Sequence, residues 1–248
     1  MREAAGEIFE RLRARLATIE GDVDAGRYKA GPWQTLIDEL RSRPDDERAR
    51  LTEVVSRVSR KLHQRRVRKT IPTGLAIGLE VAATLAGCVM LWASMRAESN
   101  ILAIVAAAIL VTTFQPLVKC SVGRAIGVSY DYAYLYGGWE PRFKMNFGSY
   151  IAATRPARVA FHLSGTIGSP LAAGLCAALI PSSMGVAKEV CWIAMWVMIA
   201  TNVVPLAIGL AGIRRIAGWR TNEGSGGAAA LEIREVLGFA SDRIQRGR

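Results

Sequence analysis

Residues 74–95 read GLAIGLEVAATLAGCVMLWASM. This run carries a single acidic or basic residue, Glu80, and has the ~20 residues a helix needs to cross ~30 Å of hydrocarbon. Runs of similar character follow at 101–118, 159–180 and 190–213. Hydrophobic residues make up 51% of the 248-residue chain and charged ones 21%. Their concentration into four runs predicts an all-α integral membrane protein with about four transmembrane helices.

Upstream of the first run the character changes. Between Met1 and Pro72 no continuous apolar stretch occurs, so no cleavable signal peptide is expected and the first span serves as the targeting signal. Ile8, Phe9, Leu12, Leu16 and Ile19 recur at helical spacing, followed by Trp33, Leu36, Ile37 and Leu40 after Gly31-Pro32. Pro44 with Asp45, Asp46 and Glu47 marks a third start, where acidic groups favour the helix dipole, and Leu51, Val54, Val55, Val58 and Leu62 give its stripe. Three such helices are expected to cover one another as a cytoplasmic bundle over residues 1–70. Laying the stripes on a partner or on the membrane surface is the other arrangement the pattern allows. Arg65, Arg66, Arg68 and Lys69 directly precede the first span. Such clusters hold a terminus in the cytoplasm and contact anionic lipid headgroups.

Basic residues also orient the rest. The turn near 97–100 carries only Arg96 and Glu98 at its edges, whereas Lys119 to Arg158 is rich in Lys and Arg, and Arg214, Arg215 and Arg220 follow the last span. The positive-inside rule places both termini in the cytoplasm of a multi-pass protein of the cell (inner) membrane. The expected organisation is a helical region at 1–70, a four-helix membrane domain at 71–219 and a cytoplasmic tail at 220–248. That tail opens on the Gly- and Ser-rich stretch Gly224–Gly227. Between the second and third spans, Tyr130, Tyr132, Tyr134, Tyr136, Trp139 and Phe143 crowd a segment broken by Gly137, Gly138 and Pro141. The period-two tyrosines allow a short hairpin with residues 142–150, and a re-entrant segment is the alternative.

Several chemistries are excluded by residue type. The net charge of +11 invites a nucleic-acid reading. The N-terminal basic residues are offset by acids, however, and lack the interleaved aromatics of a base-stacking platform, so no nucleic-acid partner is expected. Cys88, Cys120, Cys176 and Cys191 form no C-x-x-C pair, which argues against a disulfide framework or a cysteine-only zinc site. His63 and His162 are the only histidines, so a three-histidine zinc site cannot be built. No serine stands in a G-x-S-x-G setting. No cofactor or metal is expected.

Glu80, Gln115, His162 and Asn202 fall in the cytoplasmic halves of their spans in this orientation, so an intramembrane polar cluster is expected there. Gly165, Gly168 and Gly174, with Ala172, Ala173 and Ala177, make a small-residue face on the third span that lets another helix approach closely.

Taken in order, the second span ending in Gln115-Pro116-Leu117-Val118-Lys119, the aromatic segment, Gly168-Ser169-Pro170-Leu171-Ala172-Ala173 and Asn202-Val203-Val204-Pro205 resemble the core of the site-2 protease family of intramembrane zinc metalloproteases. In that family one span carries H-E-x-x-H, a later one begins with a pattern like A-G-P-L-A-N, and an N-L-x-P stretch precedes a zinc-binding Asp. The match covers roughly residues 100–215. The resemblance implies a shared helix framework, but its chemistry does not carry over. Gln115 and Lys119 stand where the two histidine ligands would be, Pro116 stands at the general-base position, and no carboxylate follows Pro205. An ammonium repels a metal cation. The resemblance therefore implies a degenerate, pseudoprotease-like member without the zinc ligands.

The expected function is a non-catalytic scaffold that binds membrane lipids and another membrane protein or a second copy of itself. The competing reading is a membrane-embedded enzyme acting on a lipid or isoprenoid-like substrate, with Glu80 or His162 as acid or base beside the tyrosines and Arg142. Transport with Glu80 as the proton-coupling carboxylate is a third, and four spans would require oligomerisation for it.

Overall fold

The computed structural model describes residues 2–29, 31–41, 43–67, 69–136, 140–213, 215–216, 219–220 and 225–237. Four of its helices are long and apolar enough to span a membrane: α4 (Thr73–Arg96), α5 (Asn100–Ala125), α7 (Arg155–Leu179) and α8 (Gly185–Leu210). The class is all-α, as the apolar runs predict. The second span extends past the expected end at Val118 and carries Pro116 within it. The helix continues because one missing N–H in a long helix is compensated by the turns on either side. Ser182–Met184 forms a 3₁₀ turn that leads into α8.

The chain divides into two compact units, Met1–Thr73 with Gly127–Thr154, and Gly74–Ile126 with Arg155–Arg248. The aromatic segment thus belongs with the N-terminal helices, and the described part of the tail belongs with the spans, a division that the apolar runs alone do not draw.

In the first unit, α1 (Arg2–Asp24), α2 (Gly31–Arg41) and α3 (Asp45–Gln64) bury one stripe each. Leu12, Leu16, Ile19 and Val23 of α1, Leu36, Ile37 and Leu40 of α2 and Leu51, Val55 and Val58 of α3 are all buried, and α1 packs on both α3 and α2. Ion pairs stitch the rim: Arg15 to Glu39 from α1 to α2, and Arg57 and Lys61 of α3 to Glu20 of α1. Such exposed pairs contribute little stability individually. The short helix α6 (Phe147–Ala152) lies on α3 at Gly148, where a Cβ would come within 2.0 Å of the Thr52 carbonyl oxygen. Only glycine permits that approach.

The aromatic segment is a hairpin. Strand β2 (Tyr130–Tyr136) pairs antiparallel with β3 (Glu140–Met145), and β1 (Thr70–Ile71) adds to its outer edge in the order β1-β2-β3. The register places Tyr134 opposite Arg142 and Tyr132 opposite Lys144, then shifts between Tyr130 and Tyr132. The extra residue in that bulge is Asp131, and a bulge re-aims side chains that alternation would point elsewhere. Gly137, Gly138 and Trp139 of the turn lie outside the described residues.

In the second unit, α4 packs against α5 through Gly87, where a Cβ would touch the Leu110 side chain at 3.0 Å, and through the Thr84 and Thr113 hydroxyl oxygens, which lie 2.8 Å apart. Leu91, Ala103, Ala106, Ala107 and Leu110 join Cys176, Ala177, Ile180, Met184, Ala187 and Cys191 in one core, drawn from all four spans. Small side chains dominate it, which brings the helices close where no hydrophobic effect from lipid drives them together. Large apolar side chains point outward instead: Leu75, Leu85, Val89 and Trp92 on α4, and Ile193, Trp196 and Val197 on α8. Apolar residues outside and small ones inside are the pattern of helices in hydrocarbon, and the four long apolar helices of this unit are compatible with a multi-pass membrane protein. A further helix, α9 (Ser225–Val236), packs on α7 and α8.

Candidate functional site

The junction between α5 and α7 is the most specific arrangement inside the spans. Gln115 of α5 donates from Nε2 to the Gly165 carbonyl oxygen of α7 at 2.7 Å. Ser169, one turn further along α7, directs its hydroxyl at Gln115 Oε1 and at the Val111 carbonyl oxygen, both at 3.1 Å, so that one proton is shared between two acceptors. The helices meet this closely because Gly168 lies between the two contacts, with a hypothetical Cβ only 2.8 Å from Gln115 Cα. Gly174 plays the corresponding part toward α8, where a Cβ would lie 2.9 Å from Met195 Sδ. In a medium without water each amide group must find a protein partner, and Gln115 has one at each end.

Lys119 stands one turn beyond Gln115, with its ammonium 4.9 Å from the centre of the Phe161 ring, a cation–π contact between the same two helices. His162 is buried next to Phe161. Gln115 and Lys119 thus both tie α5 to α7. Among the described residues, no three His, Cys, Asp or Glu side chains gather where they could hold a metal ion.

The other members of the expected polar set are placed differently. Glu80 is buried on α4, and its main-chain carbonyl accepts from Thr84 Oγ1 at 2.8 Å, one turn from the Thr84–Thr113 contact. Asn202 Nδ2 donates to the Met198 carbonyl of its own helix at 2.7 Å. Glu80, Gln115 and Asn202 share no hydrogen bond with one another. Of the basic cluster before the first span, Arg65, Arg66 and Lys69 are exposed, and Arg68 lies outside the described residues.

The first unit contains a polar network that no motif announces. Asp131, at the β2 bulge, has a side chain only 3% exposed and accepts from Arg60 Nη2 of α3 at 2.7 Å and from Asn146 Nδ2 at 2.9 Å. Ser56 of α3 donates to Asn146 Oδ1 at 2.6 Å, and Asn146 also caps α6 through Ser149 N at 3.0 Å. Lys144 of β3 donates from Nζ to Ser59 Oγ of α3 at 2.8 Å. His63 Nδ1 and the Tyr132 hydroxyl are 2.9 Å apart, and the Tyr134 ring meets the imidazole edge-on at 4.6 Å.

The electrostatics follow from this burial. Burial pushes the Lys144 ammonium down to about 8, with Arg60 adding to the effect and Asp131 opposing it. Burial likewise pushes His63 down to about 4, helped by Lys144 and Arg66 and opposed by Asp131. His63 is therefore neutral at physiological pH. The network fastens the hairpin and α6 to one face of α3. Its partners are drawn from segments 70 to 90 residues apart, which is why sequence spacing does not reveal it. Asp131 does leave one trace, as one of only two acids between Lys119 and Arg158.

A second pair escaped the sequence reading for the same reason. Arg158 at the start of α7 and Glu232 of α9 form a fully buried ion pair at 2.7 Å. Compared with known proteins, the chain matches no family model, no curated protein and no solved structure.

Proposed function

We propose that this chain is a non-catalytic multi-pass protein of the cell membrane, a degenerate site-2 protease-like scaffold whose helix framework binds another membrane protein or lipid. Both termini face the cytoplasm in this reading, which the basic residues flanking the spans support. One observation carries it: Gln115, at the position the resemblance gives to a ligand histidine, uses both ends of its amide to join α5 to Gly165 and Ser169 of α7. A site organised for hydrolysis keeps such a position turned toward a substrate or a metal-bound water. Here it holds two helices together, with Lys119 and Phe161 beside it doing the same.

The test is purification of the full chain in mild detergent, with elemental analysis and mass spectrometry of co-purifying proteins and lipids. The expected result is no stoichiometric zinc and a recurrent membrane-protein or lipid companion, retained by Gln115→Ala and weakened by enlarging Gly174 or Gly168. One zinc per chain, or loss of the companion in Gln115→Ala as complete as in a deletion, overturns the reading.

A further inference from the structure

Arg158 stands in the first turn of α7, and its side chain is 0% exposed. A guanidinium keeps its charge when buried, so it requires an anionic partner. That partner comes from α9: Arg158 Nε donates to Glu232 Oε2 at 2.7 Å, and Glu232 is itself 1% exposed. Small residues seat the helix. Ala229 and Ala230 are fully buried, and Gly209 of α8 makes room for them, since a Cβ there would lie 2.5 Å from Ala230 Cβ. Arg234 Nη1 donates to the Leu210 carbonyl at 2.7 Å, satisfying one of the groups left open where α8 ends.

The sequence of α9 does not favour a helix by itself. It has 12 residues and opens on Ser225-Gly226-Gly227. Isolated helices shorter than ~12–15 residues are marginal in water even when rich in alanine, and the two glycines of its first turn add little helical preference. The helix therefore depends on its seat on α7 and α8, which includes the Arg158–Glu232 ion pair, the close contact of Ala230 with Gly209 and the Arg234 bond to the end of α8. An element held in this way is released as a unit.

We propose that α9 is a releasable latch over an anion site, and that the phosphate of an anionic lipid headgroup takes the place of Glu232 on Arg158 when the latch lifts. The depth of the site argues for lipid. At 1.5 Å per residue, α7 is about 37 Å long against a hydrocarbon core of ~30 Å, so its first turn reaches the headgroup region. Arg155 shares that turn, and Arg234 stands by the adjoining end of α8. A guanidinium fork fits a phosphate as well as a carboxylate, and a bilayer presents phosphates at this depth. The inference requires only that the chain lies in a membrane, and it is independent of whether the α5–α7 junction is catalytic.

The full-length protein is placed in nanodiscs of phosphatidylcholine, with or without phosphatidylglycerol, and amide exchange is followed across residues 225–237. Exchange in α9 is expected to rise severalfold with the anionic lipid while the interiors of α7 and α8 are unaffected. The double variant Arg158→Gln/Glu232→Gln removes both charges together, which avoids leaving one buried alone, and its α9 should exchange at a rate indifferent to lipid. Equal exchange of wild-type α9 in both lipids, or a lipid response that survives in the double variant, overturns the proposal.

Discussion

Gln115 and Gly165, fifty positions apart in the chain, are joined by a 2.7 Å hydrogen bond that crosses from α5 to α7. The amide is held from the other side by Ser169, so that the side chain is a two-ended clamp. Replacing it with alanine removes both contacts and leaves the Ser169 hydroxyl with Val111 alone. Gln115→Ala is expected to destabilise the second unit by about 1–2 kcal/mol, the range for interhelical polar contacts in membranes. Thermal unfolding in detergent measures this, and an unchanged midpoint would mean that the clamp carries no stability.

The close approach beside that clamp separates two glycines that look alike in the sequence. At Gly168 a Cβ would lie 2.8 Å from the Gln115 backbone, which cannot rotate aside, whereas at Gly78 on α4 nothing stands within 4 Å. Gly168→Ala is expected to cost about 1–3 kcal/mol by overpacking. Gly78→Ala is expected to be neutral or to gain up to about 1 kcal/mol, since alanine loses less freedom in a helix. The same unfolding measurement on the two variants checks the contrast.

These two glycines show where sequence reading stops. The spans are legible because hydrophobic length is a property of one segment, whereas the alternating tyrosines allow the hairpin without deciding it against a re-entrant segment, because pairing depends on a second strand. The small-residue face on α7 can be read too, but its division into a side toward α5, at Gly168, and a side toward α8, at Gly174, depends on helix rotation. The polar set fares similarly: Gln115 meets a carbonyl on a neighbouring span, while Asn202 turns back to Met198 of its own helix. Asp131 is obscured further by the bulge that carries it, because an added residue breaks the period from which a strand's inner face is inferred. Arg158 and Glu232 are 74 positions apart and share no motif.

Asp131 is the anionic centre of the first unit, and its substitution tests the network. Asp131→Asn keeps the shape but removes the charge that faces Arg60 and Lys144. Breaking a buried ion pair from one side costs about 3–5 kcal/mol, and the half-exposed Arg60 can recover water, so a loss of about 2–4 kcal/mol is expected. The hairpin should loosen from α3. Limited proteolysis across residues 127–154 reads this directly, and unchanged cleavage would show that the Arg60 and Asn146 contacts do not hold the hairpin.

The same network gives the first unit a pH dependence whose sign can be worked out. Stability rises with pH wherever the unfolded chain binds more protons than the folded one. His63 is held down at about 4 against an ordinary 6.5, so between those values the unfolded imidazole carries a proton that the folded one refuses. Stability is therefore lost as the pH falls from 6.5 toward 4. Lys144 is held down at about 8 against 10.5, so from 8 upward the folded state releases its proton first and stability rises with pH until 10.5. Because Lys144 is largely buried, the alkaline gain is of order 1–3 kcal/mol. Between about 6.5 and 8 neither group changes, and a plateau is expected. Amide exchange in α3 and β2, corrected for its intrinsic pH dependence, should trace both slopes. Lys144→Met should flatten only the alkaline slope and His63→Gln only the acid one. A slope that persists in the matching variant would assign the titration to a different group.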